Sequence, residues 1–221
     1  MQFQTIPDYQ AIDQIPRDLS FHPAGVETPR VLSREQIESF NRDGFISPIR
    51  IFEKAEIAGH RGYFDELLER VRAAGGDSYS ISTAHLKYGA VYDLLTHPRI
   101  VAVVKDLLGE NVIGWGSHYF CKLPGDGRTV GWHQDAGYWP LRGERCITMW
   151  LPLQAVDPVM GTLQCASGTN AVGSLSDEVI SAASESFFGE QVADGVLGER
   201  FPVSEPASLA PFDHAIAYVP S

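Results

Sequence analysis

A chain of 221 residues, 44% of them hydrophobic and 20% charged, has the composition of a globular protein that can bury a single core. The formal net charge of −11 argues against a nucleic-acid partner, because binding to a phosphate backbone depends on clustered Lys and Arg. The start lacks a basic segment followed by an apolar one, and no apolar run is long enough to span a bilayer, so we expect a cytoplasmic protein without a membrane partner.

The first predicted helix lies just after residue 32. Ser33 is a suitable N-cap, and Gln36 stands at the position that completes a capping box. Ile37 and Phe40 follow at helical spacing, and Gly44 provides a stop. The pattern predicts a capped amphipathic helix that ends before Asp43-Gly44.

Two more helices are predicted before residue 110. One extends from about Lys54 to Ala74, where an apolar stripe is followed by Gly75-Gly76. The other runs from about Val91 to Leu108 and is interrupted by Pro98. The part of the chain from residue 1 to about 110 is therefore expected to be helix-rich.

The second half, from about residue 111 to 221, has the pattern of short strands separated by Gly or Pro turns. A stretch at about 170–211 is too long for a tight turn and is predicted to be an insertion, such as a lid. The prediction is a mainly β fold with flanking helices on a jelly-roll core, in one domain. The predicted strands are Ser117–Leu123, Val130–Asp135, Cys146–Leu153, Thr162–Ala166 and His214–Val219.

A histidine and an aspartate, His133 and Asp135, stand two residues apart on the predicted strand Val130–Asp135. Alternate residues of a strand project from the same face, so an imidazole and a carboxylate converge. This pair is two thirds of the 2-His-1-carboxylate arrangement that holds Fe(II). Because the pattern also arises by chance, a surface hydrogen-bonded pair is the alternative.

Four segments, taken in order, resemble the phytanoyl-CoA dioxygenase (PhyH) family of Fe(II)- and 2-oxoglutarate-dependent oxygenases. They are residues 32–46, the run Lys122-Leu123-Pro124-Gly125, residues 133–140, and residues 149–153 with Gly161-Thr162-Leu163. The resemblance covers nearly the whole chain and implies a single oxygenase domain over residues 1–221. Its core would be a double-stranded β-helix, which is a jelly roll of the cupin-like kind.

The resemblance also implies roles for individual residues. His133 and Asp135 would bind the iron, and Lys122 would contact 2-oxoglutarate. A solvated lysine is the alternative for Lys122. Further residues expected at the co-substrate pocket, with core packing as the alternative for the first, are Trp150, Tyr119 and Thr162.

Candidate substrate contacts follow the carboxylate or lie on the strand before it. Tyr138 and Trp139 stand at the expected mouth of the barrel, where they either touch substrate or pack the turn. His118 would approach the cavity from a strand, with a structural histidine as the alternative.

The chain departs from the family pattern at its end. Residues 213–221 resemble the strand that precedes the distal histidine ligand and the arginine that holds 2-oxoglutarate, so neither residue has a matching position. His214 is the only histidine after Asp135, and it falls at the start of the wrong strand. The expectation is that the C-terminal end of the family domain is missing and that the chain is part of a longer enzyme.

The resemblance implies a dioxygenase that uses Fe(II), 2-oxoglutarate and O2 to oxidise a C–H bond of a small-molecule or secondary-metabolite substrate. Asp135 favours a hydroxylase, because relatives that halogenate carry a small residue at this position. Two alternatives stay open: an inactive member that binds a small molecule or protein, and a jelly-roll metalloenzyme independent of 2-oxoglutarate. The oligomeric state is not predicted.

Overall fold

The computed structural model describes residues 16–25, 27–78, 81–125, 130–135, 139, 146–157, 160, 162–173, 175, 203–204 and 215–218. Within these ranges, no helix is long and apolar enough to cross a membrane. The helices are α1 (Arg34–Asp43), α2 (Lys54–Ala73), α3 (Gly89–Leu95) and α4 (Pro98–Leu108), with 3-10 turns at Ala84–Leu86 and Thr169–Val172. The strands are β1 (Phe45–Ile49), β2 (Thr148–Trp150), β3 (Cys165–Ala166), β4 (Val203–Ser204) and β5 (Ala215–Tyr218).

The caps predicted for α1 are confirmed. The Gln36 backbone N–H donates to Ser33 Oγ at 3.2 Å, and the Ser33 backbone N–H donates to Gln36 Oε1 at 2.8 Å. The helix ends at Gly44, whose φ of +82° is left-handed, and the Gly44 N–H donates to the Phe40 carbonyl at 2.8 Å. Caps at both ends fix where the chain enters β1.

The other helix predictions are also confirmed. Helix α2 begins at Lys54 and ends at Ala73, directly before the predicted glycine stop. The region around Pro98 forms two helices, α3 and α4, with Pro98 as the first residue of α4. Proline is tolerated there because the first N–H of a helix has no partner within the helix.

The described strands pair in two antiparallel sheets. The first has the order β1-β5-β2, with Phe45 and Thr148 both opposite Tyr218, and the second pairs β3 with β4. Pro48 lies in β1, where the register shifts between Ile46 and Ile49. Proline is accepted at such a position because it lies at a bulge in a strand at the edge of the described sheet.

Two hydrophobic clusters hold the helices against the sheet. One joins α1, β1 and α4, and alternate residues of the β2 region, Ile147, Met149 and Leu151, pack against it. The other joins α2, α3 and the segment 119–123. Because side chains alternate across a strand, Trp150 projects from the β2 face opposite to Met149.

The strand predictions are partly confirmed. Strands β2, β3 and β5 lie inside the predicted segments 146–153, 162–166 and 214–219. Residues 117–123 form only a single bridge, between His118 and Ser82. Among the described residues of 130–135 there is no strand, and Asp135 has a helical backbone, so the prediction for this segment is wrong. The jelly-roll core stays a prediction.

A buried carboxylate, that of Asp106 on α4, organises the chain before α1. It is 2% exposed and accepts the backbone N–H groups of Arg30, Val31 and Leu32 at 2.9 to 3.0 Å. A charge can be buried where several donors replace its water. Asp106 therefore ties residues 30–32 to α4.

We expect Asp106→Ala to lower the free energy of unfolding by about 3 kcal/mol, because it removes a buried carboxylate that accepts three backbone N–H groups, of which that of Leu32 is buried. Urea denaturation followed by circular dichroism measures the change. Asp93→Ala, at an exposed position on α3, is the matched control and should change stability by less than about 0.5 kcal/mol. Equal stability losses in the two variants would contradict the role given to Asp106.

Candidate metal and co-substrate site

The imidazole and the carboxylate predicted to converge do so. His133 Nε2 and Asp135 Oδ1 are 3.1 Å apart, and the two side chains are 33% and 21% exposed. Both groups thus remain partly accessible to a ligand. The described backbone has a bend at Trp132 and is helical at Asp135, whereas the sequence predicted a strand.

The ring of His133 is oriented from its other nitrogen. Nδ1–H donates to the Gly131 carbonyl oxygen at 2.8 Å, which directs Nε2 towards Asp135. The hydrogen bond to Asp135 raises the pKa of His133, burial opposes that shift, and the Gly131 carbonyl adds to it. A backbone acceptor on one ring nitrogen is the usual way in which a metal-binding histidine is held with the other nitrogen towards the ion.

Gln134, between these two residues, fastens the segment to a distant part of the chain. Its Nε2 donates to the Gly173 carbonyl at 3.0 Å, and its Oε1 accepts the Leu175 N–H at 2.8 Å. The side chain is half-buried. These two side-chain hydrogen bonds hold a segment that forms no strand pairing among its described residues.

Residues 169–173 are in turn docked on the carboxyl end of α1. Asn170 is 2% exposed, and its Nδ2 donates to the Asn41 carbonyl, an acceptor in the last turn of α1, at 3.1 Å. The amide of Asn170 lies directly over Gly44, where an added Cβ would come within 2.9 Å of Asn170 Cγ. Gly44 is therefore required both for its positive φ and for this close approach.

Asp43 reinforces the same junction. Its carboxylate accepts the Ser167 hydroxyl at 3.1 Å, and its carbonyl accepts the Gly168 N–H at 3.0 Å. Burial raises the pKa of Asp43, but hydrogen bonds from Arg42, Ser39 and Ser167 outweigh it and hold the pKa below its usual value. The chain is thus connected by hydrogen bonds from α1 through residues 167–173 to Gln134.

The segment 117–123 separates two of the predicted co-substrate residues. Tyr119 packs against the ring of Phe64 on α2, with centroids 4.9 Å apart, and burial together with Tyr63 raises the pKa of Tyr119. Lys122 and His118 are exposed on the other face. Because alternate residues of extended backbone face opposite ways, Tyr119 and Lys122 are not brought together.

His118 contacts a neighbouring side chain on that face. Its ring lies edge-on to Phe120, with a centroid distance of 4.5 Å, and burial lowers the pKa of His118. The predicted substrate role of His118 stays a prediction.

Thr162 has an unusual environment for a hydroxyl group. Its Oγ1 is buried, and within the described residues it has no hydrogen-bond partner. A buried hydroxyl without a partner is unfavourable by itself and suits a site that receives a polar ligand. Trp150, the other co-substrate candidate on this part of the chain, is half-buried.

Of the two predicted substrate contacts after Asp135, the structure describes only Trp139. Tyr138 lies outside the described residues. Trp139 is half-buried, and its ring centroid is 5.4 Å from that of Trp115. The Trp139 carbonyl accepts Arg17 Nη1–H at 2.8 Å, so the N-terminal segment also contacts the region that follows the metal candidates.

The donor set fits a divalent ion of the iron group. His133 and Asp135 supply an imidazole nitrogen and a carboxylate oxygen, and imidazole and carboxylate are suitable ligands for Fe(II). In the described part of the chain, no group of three or more His, Cys, Asp or Glu side chains is arranged to hold a metal ion. His214 lies outside the described residues.

Residues 40–191, more than half of the chain, match the family model for phytanoyl-CoA dioxygenase (PhyH). The chain belongs to this family. It is also similar, at 28% identity over 90 residues, to a protein of Stutzerimonas stutzeri described as a probable alpha-ketoglutarate-dependent hypophosphite dioxygenase. That alignment covers 41% of this chain and 31% of the relative, so the chain spans about a third of the relative's length.

Sequence reasoning had found the close pair His133 and Asp135 of this PhyH family member, whose binding of metal stays a prediction, but it missed the residues that place the pair. Gln134 stands inside the recognised motif, yet nothing in the sequence indicates that its amide binds Gly173 and Leu175. Asn170 was assigned to the start of the insertion, although it is buried against α1. The only signal was Asp43-Gly44, which marks the end of α1 and not its contact with Asn170.

The Asp43 junction should make stability depend on pH. A carboxyl group with a depressed folded-state pKa contributes stability above its unfolded value, here 3.8, and loses it as the pH falls through the folded value. We expect Asp43→Asn to lower the free energy of unfolding by about 1 kcal/mol at pH 7 and by progressively less below pH 4. Urea denaturation across this pH range measures it. Asp157→Asn, which changes an exposed carboxylate, is the control. If the difference in free energy of unfolding between wild type and Asp43→Asn grows as the pH falls, the stabilising role given to the ionised Asp43 is wrong.

Proposed function

We propose that this member of the phytanoyl-CoA dioxygenase family is an Fe(II)- and 2-oxoglutarate-dependent oxygenase that acts on a small-molecule substrate. The observation that carries the proposal is the 3.1 Å approach of His133 Nε2 to Asp135 Oδ1, with the imidazole fixed by the Gly131 carbonyl. Membership of the family and the similarity to an alpha-ketoglutarate-dependent dioxygenase support the same chemistry.

In this proposal, His133 binds the ion through Nε2 while Nδ1–H remains on the Gly131 carbonyl. Asp135 would hold the same ion through its carboxylate, and a proton on His133 Nε2 would be released to solvent. Bound Fe(II), with 2-oxoglutarate and O2, supplies the oxidising power. The protein contributes the two fixed ligands and leaves further metal positions accessible to other ligands. Because Asp135 keeps a carboxylate in this position, we propose hydroxylation of a C–H bond as the reaction.

For the co-substrate we propose three contacts. Lys122 is exposed and offers a cation to a carboxylate of 2-oxoglutarate, and Thr162 offers a buried hydroxyl. Trp150 projects from the β2 face that points away from the helix-packed cluster. We assign Tyr119 to packing, because its ring lies on Phe64.

We propose a jelly-roll core for this site. Its support is the order of the described sheet, in which β5 lies between β1 and β2 although it comes last in the chain. Pairing of sequence-distant antiparallel strands is a property of jelly rolls.

We expect purified protein with Fe(II), ascorbate and 2-oxoglutarate to release succinate, and Asp135→Ala or His133→Ala to reduce that release at least a hundredfold. Each variant leaves a single protein ligand of the pair. Succinate is measured by a coupled enzymatic assay, with hypophosphite and a panel of small natural products as trial substrates. Asp157→Ala is the control for loss of an exposed carboxylate.

The assay also separates the alternatives. If Asp135→Ala releases succinate as fast as wild type, Asp135 is not a metal ligand. Binding of 2-oxoglutarate without turnover favours an inactive binder, and metal binding without any affinity for 2-oxoglutarate favours an independent metalloenzyme.

Thr162 gives a second test of the co-substrate site. Thr162→Val keeps the shape of the side chain and removes the unpartnered hydroxyl. We expect KM for 2-oxoglutarate to rise about fivefold to tenfold, as for loss of one hydrogen bond, while the melting temperature is unchanged or higher. Thr169→Val, whose hydroxyl donates to the Ala166 carbonyl at 2.8 Å, is the matched control and should lower the melting temperature without changing KM. A Thr162→Val variant with unchanged KM contradicts the contact.

A further inference from the structure

We propose that Gln134 is a positioning residue that couples metal binding by His133 and Asp135 to the hydrogen bonds that Gln134 makes with Gly173 and Leu175. The inference rests on the proposed function, because it concerns the same metal site. It adds a regulatory connection between that site and a segment about forty residues further along the chain.

The first step is the contact itself. Gln134 uses both ends of its amide, donating to the Gly173 carbonyl at 3.0 Å and accepting the Leu175 N–H at 2.8 Å. Two hydrogen bonds from one planar group fix its rotation as well as its position. The residues on either side of Gln134 are the two metal candidates, so the backbone that carries both is fixed with it.

The second step is the rigidity of the partner. Gly173 is buried and closes the Thr169–Val172 turn with φ +75° and ψ −141°, a conformation that side-chain-bearing residues rarely adopt. A Cβ at Gly173 would also contact the Leu19 carbonyl at 3.5 Å. The turn is held to α1 by Asn170, so the carbonyl presented to Gln134 has a defined position.

The third step is thermodynamic. To bind one ion, His133 and Asp135 must keep a fixed relative position, although their segment has no strand pairing in its described part. A contact that restricts this segment to the binding geometry raises metal affinity, and by linkage the bound metal must strengthen the contact equally. The Leu175 N–H, which donates to Gln134, reports on the contact without reference to turnover.

The experiment compares wild type, Gln134→Leu and Gln134→Glu in the full chain. Leucine removes both hydrogen bonds, whereas glutamate keeps the acceptor for the Leu175 N–H and loses the donor to the Gly173 carbonyl. Gln154→Leu is the matched control, because the Gln154 amide accepts a hydrogen bond from Arg61 on α2. Mn(II), a redox-stable ion suited to imidazole and carboxylate ligands, is titrated by its electron paramagnetic resonance signal. Exchange of the Leu175 amide is followed by mass spectrometry of the peptide that contains it, because paramagnetic Mn(II) broadens the NMR signals of nearby amides.

We expect Gln134→Leu to weaken Mn(II) binding about tenfold or more, Gln134→Glu to weaken it less, and Gln154→Leu to leave it unchanged. Mn(II) should slow exchange of the Leu175 amide in wild type by the same factor by which Gln134→Leu weakens binding. If Gln134→Leu does not fold, the inference is tested by the Mn(II) affinity of Gln134→Glu and by the effect of Mn(II) on exchange of the Leu175 amide in wild type.

Two results would overturn the inference in distinguishable ways. If wild type binds Mn(II) no better than Asp135→Ala, the proposed function fails and the inference with it. If wild type binds Mn(II) well but Gln134→Leu binds equally well, or Mn(II) leaves the Leu175 exchange rate unchanged, the inference alone fails.

Discussion

The burial of the Asn170 amide against the carboxyl end of α1 is the contact on which the candidate site depends. The last turn of a helix leaves carbonyl groups without partners, and Asn170 supplies a donor to one of them, that of Asn41. This is possible only because Gly44 has no side chain at the point of closest approach. Docking of Asn170 sets the turn that ends at Gly173, and Gln134 binds there. A helix end thus determines where the segment that carries the candidate metal ligands lies.

Carboxylates have different roles in this acidic chain, according to what surrounds them. Asp106 is fully buried and accepts hydrogen bonds from backbone N–H groups. Asp43 is partly buried among hydroxyl and guanidinium donors. Both hold the backbone, because their oxygens accept hydrogen bonds from backbone N–H groups or from nearby side chains. Asp135 is also partly buried, but it faces the imidazole of His133, and an imidazole beside a carboxylate is a donor pair that suits Fe(II).

The segment 117–123 divides its side chains between the hydrophobic core and the surface. Its bridge to Ser82 and the hydrogen bond from the Tyr119 N–H to the Ile81 carbonyl hold it beside the α2 region. Tyr119 then packs on α2, and Lys122 is exposed on the other face. Buried and exposed side chains are therefore divided between alternate residues, as the period of extended backbone requires.

The sequence by itself determined the features that local interactions control. The capping box of α1, its glycine end, the bounds of α2 and the break at Pro98 all follow from contacts within a few residues, so they were predicted correctly. The pairing of His133 with Asp135 was also predicted, since two residues so near in the chain meet in several backbone conformations. The conformation itself was predicted wrongly as a strand, because a strand needs partners that local sequence does not specify.

Only the tertiary structure decided which distant groups meet. The contacts of Gln134 with Gly173 and Leu175, and of Asn170 with Asn41, join residues separated by about 40 to 129 positions. An amide side chain has the same composition whether it faces water or a backbone carbonyl, so nothing in the sequence distinguishes these two residues from solvated ones. Their partners are set by how the helices, strands and turns pack, and that packing is a property of the whole chain.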